Sequence, residues 1–399
     1  MEGWGVWRVS REEVARRRER LLEEVDRAGC QAACLFGPVE VFYFSGFSFL
    51  PTERPVVLVV TPAPRSLLLV PRLEEEHAAR DAWVDEVRSY PEYPGRRHPM
   101  EFLRDILGDL QLAGKRLLAD AEGYSSAMGY RGPRLSEVTG GEVVVTDVGA
   151  RMRMVKSPEE ISLIRESVRW GNLAHAFLQE MVAPGRSEVE VSWQASARAT
   201  DAMLRALGPH RVSWGIGEPG AAAGFRGQVG KESALPHSLT TGAVLRRGDI
   251  LVTGAGANVG GYHSELERTM FVGEPDARAR RLFDLMLAAQ ETAMEAIKPG
   301  ARCAEVDEAV RRFFAEQGLD DYWRHHAGHA LGILGHEAPF FDVGDDTVIA
   351  PGMVFSVEPG IYVPGLGGFR HSDTVLVTEH GMEVLTYYPR DLESLVCEV

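Results

Sequence analysis

The chain has 399 residues, 45% hydrophobic and 25% charged, with a formal net charge of −15. That length allows two domains of about 100–200 residues each. The acidic balance argues against nucleic acid as a partner, because a nucleic-acid binder needs a basic face. No apolar run approaches the roughly 18 residues of a membrane span, and the first 25 residues are too charged for a signal peptide. A cytoplasmic protein with no membrane partner is expected. The four cysteines, Cys30, Cys34, Cys303 and Cys397, show no zinc-like spacing, and Cys30 and Cys34 are read as buried thiols near a helix end.

In chain order, Ser10 to Glu13 reads as a capping box that opens an amphipathic helix running to about Arg27. Short strands follow at Ala32–Phe36, Pro55–Thr61 and Ser66–Val70, with helices near Arg72–Ala82 and Met100–Leu107. This mixture predicts a smaller α/β domain over residues 1–150. A second start is marked by Ser157, Pro158 and Glu160, which supply a cap, a first-turn proline and the returning carboxylate. A long helix should run from there to about Met181, and another should begin at Ser187. Strands are expected at Ala243–Leu245, Asp249–Thr253, Glu265–Val272, Met353–Val357, Thr374–Thr378 and Glu383–Leu385. Helices are expected at Ala277–Ile297 and Glu305–Gln317. The pattern predicts an α+β domain over residues 154–399, with helices covering a mostly antiparallel sheet.

Polar residues cluster at strand ends in four places. They are Ala234–His237, Gly260–Thr269, His325–Pro339, and Ser356–Gly360 together with Gly367–Thr374. Alternation along a strand puts His263, Glu265, Glu267 and Thr269 on one face and Leu266 on the other. Two carboxylates on one face repel, so a cation, a metal, a proton or solvent must offset them. The histidines His325, His326, His329 and His336, interleaved with glycines, point to a site role for at least one of them. Arg268 and Arg370 are expected to pair with nearby carboxylates. Lys231 and Arg226 lie close enough in sequence to His237 to reach a ligand, Trp214 could line a pocket, and His210 is read as a surface residue.

Together the four segments resemble the creatinase/prolidase/methionine-aminopeptidase family, which has the pita-bread fold. The resemblance rests on Tyr43 to Phe47 followed by Arg54-Pro55, then Lys156 to Glu160, Gly261-Tyr262, Glu267-Arg268-Thr269, Gly328-His329-Ala330, His336 to Pro339 and Val357 to Gly360. It implies a pita-bread catalytic domain behind a creatinase/prolidase-type N-terminal domain. Peptidases of this family hold two divalent metals with two Asp, one His and two Glu. On this chain those five positions fall on Gly254, Glu265, His329, Glu358 and Ser372. Two of the four carboxylate positions, Gly254 and Ser372, therefore lack one, and Glu265 is one methylene longer than the Asp it replaces.

The creatinase branch of the family is similar in lacking the metals, and it shares Leu266-Glu267-Arg268-Thr269, where the peptidases usually have Thr at the position of Glu267. The resemblance thus implies a metal-independent, creatinase-like hydrolase of a C–N bond in a small amide, amidine or guanidino zwitterion. His237 is expected as the base, Glu267 and Glu358 as holders of the substrate's cationic part, and His329 as an orienting or proton-transfer group. Arg54, His336, Glu265 and Tyr262 are expected to bind substrate, with Arg54 reaching across a homodimer interface. No cofactor is the first expectation. The alternative is an Xaa-Pro dipeptidase or aminopeptidase with one divalent ion (Mn, Zn or Co) on Glu265, His329 and Glu358. A non-catalytic binding protein on the same fold is the third reading.

Overall fold

A computed structural model describes residues 7–62, 65–208 and 220–398. His210 and Trp214 lie outside the described residues. The chain divides into two compact units, one of them Val9–Met152 and the other built from Arg153 onward.

In the first unit, α1 (Arg11–Arg27), β1 (Ala33–Leu35), α2 (Pro38–Ser45), β2 (Val57–Thr61), β3 (Arg65–Pro71), α3 (Glu75–Asp81), β4 (Glu86–Tyr90), α4 (Pro99–Asp109), β5 (Leu117–Ala119), α5 (Leu135–Thr139) and β6 (Val143–Val145) follow one another. The six strands form one mixed sheet in the order β4-β3-β2-β1-β5-β6. Leu103, Ile106 and Leu107 of α4, spaced to fall on one helical face, pack into its core with Val57, Val59 and Leu69. Ser10 caps α1 by accepting from Glu13 N, while the Glu13 carboxylate takes Arg16 and Arg17. Cys30 lies in the turn after α1 and Cys34 in β1, and all four cysteines are buried free thiols.

Helix α6 (Val148–Met154) leads to α7 (Pro158–Glu180) and α8 (Glu188–Leu207). At the start of α7 the capping box is complete, with Ser157 and Glu160 exchanging side-chain and backbone bonds. Next come β7 (Ala221–Gly224), β8 (Ile250–Val259), β9 (Tyr262–His263), β10 (Leu266–Val272), α9 (Ala277–Ala296) and α10 (Cys303–Glu316). The end is strand-rich: β11 (His329–Ala330), β12 (Glu337–Phe340), β13 (Val354–Val357), β14 (Gly360–Val363), β15 (Gly367–Arg370), β16 (Ser372–Thr378), β17 (Gly381–Val384) and β18 (Val396–Cys397). The large sheet runs β12-β11-β13-β16-β10-β8-β7, with β17, β18 and β9 attached to β16, β10 and β8. All of its pairings are antiparallel except β10 with β18. The segment expected as a strand at Ala243–Leu245 instead bonds to the loop before α8 through Gly185, Arg186 and Glu188, a bridge rather than a strand of the sheet. No helix among the described residues is long and apolar enough to cross a membrane.

Strand β10 is buried along its whole length. Its alternation sends Arg268 to one face and Glu267 and Thr269 to the other. Arg268 is fully buried and pairs with Asp373 of β16 at 2.8 Å, while its remaining donors reach the carbonyls of Glu267, Ser372, Tyr388 and Pro389. Asp373 in turn accepts from Gln290 and Thr386. Every polar atom of this strut has a partner, which is the condition for burying a charge pair. It locks β10 to β16 directly behind the carboxylates on the opposite face. The Asp373→Asn variant leaves the Arg268 guanidinium uncompensated and should lose about 3–5 kcal/mol of stability in urea unfolding. A loss below about 1 kcal/mol would show that the strut is not what holds these strands in register.

Candidate active site

The carboxylates of Glu265, Glu267 and Glu358 converge, with one oxygen of each lying within 4.8 Å of the others. Glu265 and Glu267 come from the β10 segment, two residues apart and therefore on one face. Glu358 directly follows β13, where its N–H donates to Ala327 O at 2.8 Å. His329 opens β11. The glycine before it is needed for close approach, because a Cβ on Gly328 would lie 2.2 Å from Ser356 O.

His329 is fully buried and its protonation is set by its neighbours. Nδ1 lies 3.1 Å from Ala330 O, which can only accept, so Nδ1 carries a proton. That leaves Nε2 aimed at the carboxylates, 3.1 Å from Glu358 and 3.7 Å from Glu265, buried and without a hydrogen bond of acceptable geometry. A bare ring nitrogen facing two carboxylates is unfavourable unless a proton or another cation sits between them. Burial alone would lower the His329 pKa, but Glu265 and Glu358 outweigh it and raise the value to about 9. Burial, reinforced by Glu358, pushes Glu265 up to about 7. Glu358 is driven the other way: burial opposes its charge, but His329 and Arg370 hold it well below the usual carboxylate range.

Glu267 is offset differently. Arg370, itself buried, engages both of its oxygens, and Arg226 reaches one of them as well. Burial raises its pKa, but the two guanidinium groups outweigh this and hold it below the ordinary value. Arg370 is fixed from several sides. Its N–H donates to Thr269 Oγ1 at 2.8 Å, and its Nη1 donates to the Tyr362 hydroxyl at 2.7 Å. The Tyr362 hydroxyl also lies 2.7 Å from His325 Nε2. Ser372 donates to Glu265 at 2.7 Å. The ring of His336, an exposed residue, stacks on His329 at 3.7 Å between centroids.

The structure thus brings together Glu265, Glu267, Glu358, His329 and His336. His237 is exposed in a turn, with no hydrogen bond among the described residues; its neighbour Pro236 contributes a carbonyl 3.5 Å from Arg370 Nη1. Tyr262 is buried and donates to Glu160 at the start of α7. Arg54 lies in the first unit, paired with Glu53 and with Glu92. Arg226, Arg370, Gln228, Tyr362 and His325 complete the polar network. No sequence motif marks Tyr362 or Gln228, whereas Arg370, expected to pair with a nearby carboxylate, does so with Glu267.

A divalent ion bound at about 2.0–2.2 Å holds its ligand atoms roughly 3–3.5 Å apart. The 3.1 and 3.7 Å separations around His329 Nε2, and its lack of a hydrogen bond, fit one such ion on Glu265, His329 and Glu358. His336 has a ring nitrogen within 4.8 Å of the donor atoms of Glu265 and His329. Glu265, Glu267 and Glu358 could form a second group, but Glu267 is already held by two guanidinium groups, and Gly254 and Ser372 add no carboxylate, so the residues present do not fit a second ion.

Residues 17–155 match the creatinase/prolidase N-terminal domain, and residues 162–379 match metallopeptidase family M24. The chain belongs to metallopeptidase family M24. It is similar to the Xaa-Pro dipeptidase of Pyrococcus furiosus at 31% identity, across 94% of this chain and 99% of that one. It is also similar to the probable dipeptidase PepE of Mycobacterium tuberculosis at 32% identity, across 97% and 98%. Among solved structures, dipeptidase PepE from Mycobacterium ulcerans has a TM-score of 0.80 at 27% identity, covering 98% of this chain and 100% of that one. Xaa-Pro dipeptidase from Bacillus anthracis has a TM-score of 0.78 at 27% identity, covering 96% and 99%. The second unit accordingly has the pita-bread fold, and the chain is a hydrolase acting on peptide C–N bonds.

Two expectations are corrected by these findings. The metal-independent, creatinase-like reading, with no cofactor, is overturned by membership of a metallopeptidase family and by full-length relatives that are dipeptidases. It had been built on the missing carboxylates at Gly254 and Ser372. Of the residues that remain, Glu358 and Glu265 each keep a carboxylate oxygen near His329 Nε2, at 3.1 and 3.7 Å.

Removing the Tyr362 hydroxyl takes a buried acceptor from Arg370. The Tyr362→Phe variant should lose about 1–3 kcal/mol in urea unfolding, and unchanged stability would show that the Tyr362 hydroxyl does not help position Arg370.

Proposed function

We propose that the chain is an Xaa-Pro dipeptidase that works with one divalent ion held by Glu265, His329 and Glu358. The observation that carries this reading is His329 Nε2: with Nδ1 turned to Ala330 O, it is buried, makes no hydrogen bond and points at two carboxylates. The named activities of the full-length relatives from Pyrococcus furiosus and Mycobacterium tuberculosis support a dipeptide substrate. An ion at such a site supplies Lewis-acid polarisation of the scissile carbonyl and acidifies water.

The protein's own groups divide the remaining work. Burial removes Glu358 and His329 from competing water and fixes their direction, which favours a site organised before substrate arrives. Ser372 orients the less buried Glu265. His336, exposed beside His329, is placed to donate a proton or hydrogen bond to a substrate oxygen or the leaving amine. Arg226 has a half-exposed side chain and is the cation best placed to meet a dipeptide carboxylate. A homodimer to which Arg54 contributes remains part of the proposal; it is checked by sedimentation, together with an Arg54→Ala variant that should raise KM without changing ion content.

Protein stripped with EDTA should not cleave Ala-Pro, and adding manganese, zinc or cobalt should restore cleavage. His329→Ala and Glu358→Gln should lose ion binding by calorimetry and at least about 100-fold in kcat. Full turnover of Ala-Pro by protein shown by elemental analysis to hold no metal would contradict the reading.

A further inference from the structure

Three positions of unusual identity lie side by side in the sheet. In register, Glu267 of β10 pairs with Gly254 of β8 on one side and with Ser372 of β16 on the other. Gly254 and Ser372 are where the family's pattern places metal-binding carboxylates, and Glu267 is where its peptidases usually have Thr. A carboxylate therefore stands on the strand between two positions that lack one. Paired residues of antiparallel strands point to the same side of the sheet, so Glu267 extends into the space that side chains at 254 and 372 would share.

A guanidinium group closes that space. A Cβ built on Gly254 would lie 3.1 Å from Cζ and from Nη2 of Arg226, so this guanidinium lies directly over the glycine. From there it pairs with Glu267 Oε1, the same oxygen that accepts from Arg370 Nη2 at 2.9 Å. Gln228 Oε1 lies 3.4 Å from a nitrogen of each arginine. One carboxylate oxygen is thus shared between two cations, as a bridging carboxylate is shared between two metal ions. The backbone is bent to produce this. Arg226 has φ +51° and is one of two non-glycine residues with positive φ among the described residues. That conformation costs roughly 1–2 kcal/mol for a residue with a Cβ. The following residue, Gly227, donates its N–H to the buried Glu188 at 2.9 Å, which helps hold the turn.

We propose that the Arg226 guanidinium stands in the place of the second metal ion of this fold, so that the chain binds one divalent ion and presents a fixed organic cation beside it. This rests on the one-ion reading above. Charge supports it: three carboxylates, two guanidinium groups and one divalent ion leave a single net positive charge, suited to an anionic oxygen of the substrate. A second ion would leave three. The side chain of Arg226 is 53% exposed, so it reaches solvent while it pairs with Glu267.

The test is metal stoichiometry of the full-length protein, equilibrated with excess Mn2+ and desalted, read by elemental analysis and electron paramagnetic resonance. About one ion per chain with an uncoupled spectrum is expected. Two ions per chain, or an exchange-coupled pair, would overturn the proposal while leaving a metallopeptidase; no bound ion would instead overturn the one-ion reading beneath it. Two variants then isolate Arg226. Arg226→Ala should keep its single ion yet lose about 100-fold in kcat for Ala-Pro, with partial recovery in Arg226→Lys; wild-type kcat in Arg226→Ala would overturn the proposal. Combining Gly254→Asp, Glu267→Thr and Ser372→Glu with Arg226→Ala, in protein shown to be folded by circular dichroism, should raise the Mn2+ content toward two per chain. Retaining Arg226 in that background should hold it near one, and equal contents in the two would overturn the proposal.

Discussion

Three carboxylates held together away from water are the constraint on which the rest of this site depends. Glu265, Glu267 and Glu358 cannot all keep their charge in a buried space without cations close at hand. The protein divides the problem in two. Arg370 and Arg226 neutralise Glu267 with rigid hydrogen-bonded contacts. Glu265 and Glu358 converge on His329 Nε2, which makes no hydrogen bond, and that half of the site is suited to a cation from outside. The division separates a half neutralised by the chain's own guanidinium groups from a half suited to a bound ion.

The supporting architecture follows from the same constraint. Strand β10 carries the carboxylates on one face and Arg268 on the other, so its two faces bear opposite charge. The Arg268–Asp373 strut binds β10 to β16 from behind, and Thr269 bonds the Arg370 backbone at the front. Small displacements of β10 would therefore disturb both charge systems together, which favours a site organised by the sheet rather than by flexible loops.

Much of this was legible in the sequence because it is periodic. Alternation placed Glu265 and Glu267 on one face, and the Ser157–Glu160 capping box located the start of α7. The grouping of His329 and Glu358 with them came from family resemblance, since no local pattern joins residues so far apart. What was not legible depends on the return path of the chain. The sequence points to His237 as a base but does not show that it stands exposed in a turn. Tyr262 stands next to His263 in sequence, yet its hydroxyl serves the start of α7. Arg226 gave no motif, because its role comes from a left-handed backbone and a glycine on a neighbouring strand. The missing carboxylates at 254 and 372 were visible, but whether they removed all metal binding or half of it is a matter of distances.

The central claim is that this hydrolase keeps one metal position and has closed the other with an arginine. Anomalous diffraction from crystals equilibrated with Mn2+ tests it most directly. The account predicts a single peak between Glu265, His329 and Glu358, with the Arg226 guanidinium still on Glu267. A second peak between residues 254, 267 and 372, with Arg226 displaced, would contradict it.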